Sequence, residues 1–226
     1  MPGRGDARRE RLSRARLYVV TGARQDDGDL AGFLDAVLGA GADIIQLREK
    51  DAEAGDILRW SEVFRAASDR HGALFVINDR ADLAVAAGAD GVHVGQNDLP
   101  PAWARRVVGP EMIIGLSTHA DAEFDAGDPE ADYLCVGPLY ATPTKPGRPV
   151  TGLEIVGHAA RRTRAGTERR PWFAIGGVDT ASLPKVFAAG AERIAVVRAA
   201  AGPDPGAAVK ALVAGLASAP RFLTIT

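Results

Sequence analysis

Ala87-Gly88-Ala89-Asp90-Gly91-Val92-His93-Val94 holds the pattern on which the fold depends. An alanine-rich stretch ends, a glycine follows, an acidic residue stands next, and a short apolar run begins. Glycine just past a helix end adopts the left-handed conformation that caps it, so the stretch reads as helix, cap, strand. The joint recurs as Ala40-Gly41-Ala42-Asp43 before Ile44 and as Ala189-Gly190-Ala191-Glu192 before Arg193-Ile194. The repeated unit therefore passes from helix into strand.

Working outward, eight short apolar runs read as strands: Leu17–Thr21, Asp43–Leu47, Leu74–Ile77, Gly91–Val94, Met112–Gly115, Tyr133–Val136, Trp172–Ile175 and Ile194–Val197. Most are continuously apolar, as strands covered on both faces are. Amphipathic stretches separate them: Leu30–Leu38, Ala54–Arg70, Leu83–Ala87, Pro101–Val107, Ala120–Ala126, Leu153–Thr163, Ala181–Ala189 and Gly206–Ala217. Eight β-α units in 226 residues predict a single (β/α)8 TIM barrel over residues 17–226. An open doubly wound sheet is the competing architecture.

Composition narrows the function classes. Apolar residues make up 46% of the chain, enough for a full core, and the net charge of −2 gives no global attraction to nucleic acid. Cys135 is the only cysteine and sits in a predicted strand, so no internal disulfide forms, which fits a reducing cytoplasm. No apolar run is long enough to cross a bilayer. Met1–Arg16 is rich in arginine and glycine, lacks an apolar core, and reads as a disordered, solvated basic tail.

In such a barrel, active residues stand at strand C-termini and in the loops that follow. Polar groups gather there. Period-two alternation after the second strand sends Gln46, Arg48 and Lys50 to one side and Leu47 and Glu49 to the other, which gives the mouth an amide and two cations suited to a polyanion. A solvated charged loop is the bland alternative. Asp79 follows the third strand and Asp98 the fourth. Two carboxylates on neighbouring strand ends suit Mg²⁺, while helix capping is the local alternative for each. His93, between two valines, reads as a core residue. Ser117 and His119 follow the fifth strand; no nucleophile elbow surrounds the serine, and Thr118 could cap the next helix. Thr142, Thr144 and Lys145 sit on a proline-stiffened loop after the sixth strand and suit a phosphate or pyrophosphate. Gly176-Gly177 after the seventh strand, with Val197 and Arg198 after the eighth, suits a second phosphate.

Taken together, Gln46-x-Arg48-x-Lys50, Asn78-Asp79-Arg80, Val92-His93-Val94-Gly95-Gln96-x-Asp98-Leu99, Thr142-Pro143-Thr144-Lys145 and Gly176-Gly177 resemble the thiamine phosphate synthase family from about Leu17 to Ala200. The resemblance implies a cytoplasmic, Mg²⁺-using barrel transferase. It would join 4-amino-2-methyl-5-pyrimidinylmethyl diphosphate to 4-methyl-5-(2-phosphoethyl)thiazole, or its carboxylated form, and release pyrophosphate. Gln46, Arg48, Lys50, Asn78 and Lys145 would hold the pyrimidine and its diphosphate. Asp79 and Asp98 would hold Mg²⁺, and Ser117 would meet the pyrimidine. Thr142, Thr144, Gly177, Val197 and Arg198 would hold the thiazole phosphate. Arg48, Lys50, Ser117 and Lys145 would carry the chemistry. Arg198 departs from the family's usual serine. The partners implied are small molecules, not nucleic acid or membrane, and a homodimer is compatible with them. Two rivals are a thiazole tautomerase of the same superfamily, with a residue such as His119 as acid or base, and a non-catalytic phosphate-binding barrel.

Overall fold

The computed structural model describes residues 3–141 and 150–219. The loop residues Thr142, Thr144 and Lys145 lie outside that range. Eight parallel strands close in chain order: β1 (Leu17–Thr21), β2 (Ile44–Leu47), β3 (Leu74–Asn78), β4 (Gly91–Val94), β5 (Ile113–Thr118), β6 (Tyr133–Val136), β7 (Trp172–Ile175) and β8 (Ile194–Val196). The last pairs back onto the first, Leu17 opposite Ile194. The doubly wound alternative is thereby excluded.

Eight helices follow the strands: α2 (Leu30–Gly39), α3 (Ala54–His71), α4 (Ala81–Ala86), α5 (Pro101–Val108), α6 (Asp121–Ala126), α7 (Glu154–Arg164), α8 (Leu183–Ala188) and α9 (Pro205–Leu216). A further helix, α1 (Arg4–Arg14), precedes them. The core has two parts. One lies between strands and helices, built from residues such as Leu34, Phe64, Val92, Val156 and Leu212. The other fills the barrel interior with Tyr18, Ile44, Val76, Ile113, Tyr133 and Phe173.

The acidic residue has a structural reason at two of the three joints, Asp43 and Asp90, and Asp132 before β6 repeats it. At the N-terminal end of the barrel, Asp43 accepts from the Leu17 N–H at 2.9 Å, Asp90 from Phe75 at 2.9 Å, and Asp132 from Ile114 at 2.8 Å. Each carboxylate thus stitches an even-numbered strand to the backbone of the strand before it. Burial alone would raise the Asp90 carboxyl. The Phe75 N–H, Arg65 and Arg8 outweigh that and hold it below the usual carboxylate value.

These acids also correct the reading of the N-terminus as a disordered tail. Residues 4–14 form α1, which lies under the barrel. Arg8 Nε meets Asp90 at 3.0 Å and Arg9 Nε meets Asp132 at 2.7 Å. Leu12 is only 2% exposed and joins the interior cluster from below. The arginines are held by acids 82 and 123 residues away, and the one leucine of the segment's last turn seals the barrel floor.

Candidate functional site

A cavity of about 670 Å³ opens at the C-terminal end of the barrel. Gln46, Arg48, Lys50, Asn78, Asp79, Asp98, Ser117, Gly177, Val197 and Arg198 all line it. The alternation after β2 arises as expected. Glu49 turns away, and its Oε1 accepts from the Ala23 N–H at 2.6 Å, which ties the β1 and β2 loops together behind the cations.

Asp79 and Asp98 come together across the ends of β3 and β4. The Asp79 backbone is left-handed, with φ of 61°, and its N–H donates to the His93 carbonyl at 2.8 Å. That unusual conformation swings the carboxylate over the mouth. Lys50 Nζ stands 3.1 Å from Asp79 Oδ2. Asp98 Oδ2 accepts from the Gly95 N–H at 2.8 Å, closing its own loop. Neither aspartate caps a helix: the N-cap positions of α4 and α5 are Arg80 and Pro100, and neither makes a side-chain cap. The Asp79 carboxyl is raised above its ordinary value, first by burial and then by Asp98, with Lys50 opposing. Among the described residues, no group of three or more His, Cys, Asp or Glu side chains could hold a metal. The aspartate pair alone offers two carboxylates, a donor set that could hold Mg²⁺ only with phosphate oxygens and water completing its shell.

β5 runs three residues further than its apolar pattern suggests. Ser117 and Thr118 sit on the ladder, opposite Cys135 and Val136. Thr118 Oγ1 donates to the Cys135 carbonyl at 3.3 Å, and the N-cap of α6 is Ala120, so Thr118 is not the helix cap. His119 lines the cavity and its Nδ1 meets the Gly137 carbonyl.

The far side of the mouth is built from two loops laid on each other. Leu139 N–H donates to the Ile175 carbonyl at 3.0 Å and Tyr140 N–H to Gly176 at 2.9 Å. Gly176 and Gly177 have φ of 100° and 70°, and a side chain at either would collide with Pro138 or Tyr140. The glycines therefore let the segment leading into Thr142–Lys145 rest against the turn after β7. Arg198 opens a 3₁₀ turn (Arg198–Ala200) beyond β8 and is exposed at the rim.

Several lining groups escape a reading of single motifs. Tyr18 and His93 belong to the cavity floor, with Gln96, Asn97 and Cys135 beside them. Gln46 Nε2 donates to Tyr18 Oη at 2.5 Å, Tyr18 Oη lies 2.9 Å from Tyr133 Oη, and His93 bridges Tyr133 Oη at 3.1 Å and Ser117 Oγ at 2.9 Å. His93 is thus a satisfied interior histidine, as the sequence suggests, yet its partner Ser117 faces the site. Period-two phase could have found Tyr18, since it points inward like Gln46.

Known proteins carry the same architecture and sequence. The family model for thiamine monophosphate synthase matches residues 17–200. A thiamine-phosphate synthase from Acidothermus cellulolyticus is 53% identical over 211 residues, covering 92% of this chain and 98% of that protein. One from Mycobacterium leprae is 52% identical over 223 residues, covering 91% and 92%. The solved structure of a thiamine phosphate pyrophosphorylase from Pyrococcus furiosus superposes with a TM-score of 0.79 at 29% identity, covering 92% of this chain and 97% of that one. The chain belongs to the thiamine monophosphate synthase family and is a transferase of thiamine phosphate synthesis.

Proposed function

We propose that the cavity joins 4-amino-2-methyl-5-pyrimidinylmethyl diphosphate to 4-methyl-5-(2-phosphoethyl)thiazole or its carboxylated form. One observation carries this reading: a cationic and amide group, Gln46, Arg48 and Lys50, shares a single cavity with the neighbouring carboxylates Asp79 and Asp98. A tautomerase of one thiazole phosphate has no use for that combination.

Arg48, Lys50 and Lys145 bind the diphosphate, and Gln46, Asn78 and Ser117 orient the pyrimidine. Asp79 and Asp98 would hold Mg²⁺, which would supply positive charge to the diphosphate. Thr142, Thr144, Gly177, Val197 and Arg198 seat the thiazole phosphate on the opposite side, which aims the thiazole nitrogen at the pyrimidine's methylene carbon. The bond from that carbon to the diphosphate oxygen breaks, and its electron pair leaves with pyrophosphate. The electron-rich aminopyrimidine spreads the positive charge left on carbon. The lone pair of the thiazole nitrogen then forms the new C–N bond. No protein nucleophile enters; the plain thiazole phosphate needs no net proton transfer, whereas the carboxylated form would also release CO₂ and take up a proton at the carbon that carried it. Arg48, Lys50 and Lys145 act because charge on the leaving group grows toward the transition state. Alignment of two bound substrates supplies much of the remaining rate.

Mass spectrometry of the products from both substrates with Mg²⁺ tests the reading. Thiamine phosphate is the expected product. Pyrimidine diphosphate left unconsumed while the thiazole phosphate changes its NMR spectrum at constant mass would instead make the protein a tautomerase.

A further inference from the structure

Beneath the cavity runs an unbroken series of buried hydrogen bonds, from Gln46 on β2 through Tyr18, Tyr133 and His93 to Ser117 on β5. Its two ends, Gln46 and Ser117, reach the cavity, Tyr18 and His93 lie in the cavity floor, and Tyr133 lies beneath them. Tyr18 and Tyr133 are both 0% exposed. Gly115 leaves the space in which the Tyr133 and His93 rings meet: a side chain there would overlap both.

The series has a direction. Gln46 Nε2 donates to Tyr18 Oη, so the Tyr18 proton is left for Tyr133 Oη. The Tyr133 proton then goes to His93 Nδ1, which fixes the neutral imidazole with its hydrogen on Nε2. That Nε2–H donates to Ser117 Oγ. The serine's own proton is turned toward the cavity, and so is the acceptor oxygen of Gln46. Run the other way, the Tyr18 proton would face two donors, the Gln46 N–H and the Tyr133 O–H, on a fully buried side chain.

We propose that this one-way series makes Tyr18, Tyr133 and His93 positioning residues that set how the site reads the pyrimidine: Gln46 as acceptor, Ser117 as donor. An exocyclic amino group satisfies Gln46, and a ring nitrogen satisfies Ser117. A 4-oxo pyrimidine sets its carbonyl oxygen against the Gln46 oxygen, two acceptors with no proton between them. The series therefore selects amino over oxo pyrimidines. This inference rests on the pyrimidine-binding role given to the cavity above.

Equilibrium affinities of the aminopyrimidine diphosphate and its 4-oxo analogue, measured without the thiazole, test it. The unmodified protein is expected to prefer the amino compound by about tenfold to a hundredfold, the cost of one buried unsatisfied polar group. Tyr133→Phe cuts the series. Tyr18 can then donate to a flipped Gln46 amide, and the preference falls about tenfold or more while the oxo compound gains affinity. His93→Gln can restore the N–H to Ser117 and keeps more of the preference than His93→Ala, a comparison that stands even if Tyr133→Phe fails to fold. An unchanged preference in Tyr133→Phe, or equal weakening of both compounds in all variants, overturns the inference and leaves the pyrimidine assignment intact. Failure of the unmodified protein to bind either compound overturns the assignment itself.

Discussion

The carboxylate of Asp79 faces that of Asp98, burial and this neighbour together raise it above its ordinary value, and Lys50 Nζ stands 3.1 Å from Asp79 Oδ2. Two acids pressed together beside one cation form a seat short of positive charge. Mg²⁺ binding should therefore stabilise the protein, by about 2.7 kcal/mol at a hundredfold excess over the dissociation constant. Thermal melts with and without Mg²⁺ read this directly. Asp98→Asn should lose the shift, and its metal-free form should melt no lower than the metal-free parent, because the repulsion is gone and the amide oxygen can still accept from Gly95. An undiminished Mg²⁺ shift in Asp98→Asn would place the ion elsewhere.

Arg48→Ala and Lys145→Ala should each lower turnover by about 10²–10³, the usual effect of removing one donor from developing charge. Their melting temperatures should move little, since Arg48 lines an open cavity rather than the core. Saturating both substrates separates this loss from weaker binding. Near-native turnover in both variants would contradict the diphosphate assignment.

Arg198 stands exposed at the rim just beyond β8, which is next to β7 and separated from β2 by β1. Arg198→Ser should raise the dissociation constant of the thiazole phosphate by about tenfold, the effect of one charge-assisted contact, and spare the pyrimidine diphosphate. Calorimetry with each ligand alone distinguishes the two. Equal thiazole phosphate affinity in both proteins would show that the backbone alone acts at this position.

The floor of the barrel should set stability without touching chemistry. Leu12→Ala should cost about 2–3 kcal/mol and leave turnover unchanged, as the side chain is buried at the end remote from the site. The Asp90 carboxyl is held below its ordinary 3.8. A depressed carboxyl stabilises the fold above its unfolded value, and that contribution disappears as the pH falls through the folded value. Asp90→Asn should thus be less stable at neutral pH and lose less stability on acidification below about pH 4. Parallel acid-unfolding curves for the two proteins would contradict this.

Local patterns made much of the barrel legible. β1, β4, β6 and β7 fall at the bounds their apolar runs suggest, because a strand buried on both faces carries its signal in every residue. β5 was cut short where the signal changes: Ser117 and Thr118 are polar, but they are still laddered to β6. The fate of the N-terminus could not be read locally, since Asp90 and Asp132, which hold Arg8 and Arg9, lie far along the chain. The hydrogen-bonded floor was hidden for the same reason. Tyr18 and Tyr133 are 115 residues apart and meet only when the barrel closes. Alternation after β2 did reveal Gln46, Arg48 and Lys50, because side-chain phase is a local property of a strand.

Pyrophosphate release, followed continuously with each substrate alone and with both together, in Mg²⁺ or in excess chelator, tests the central claim most directly. The account predicts release at full rate only when pyrimidine diphosphate, thiazole phosphate and Mg²⁺ are all present, with one thiamine phosphate formed per pyrophosphate. Full-rate release in chelator, or no release with all three present, would contradict it.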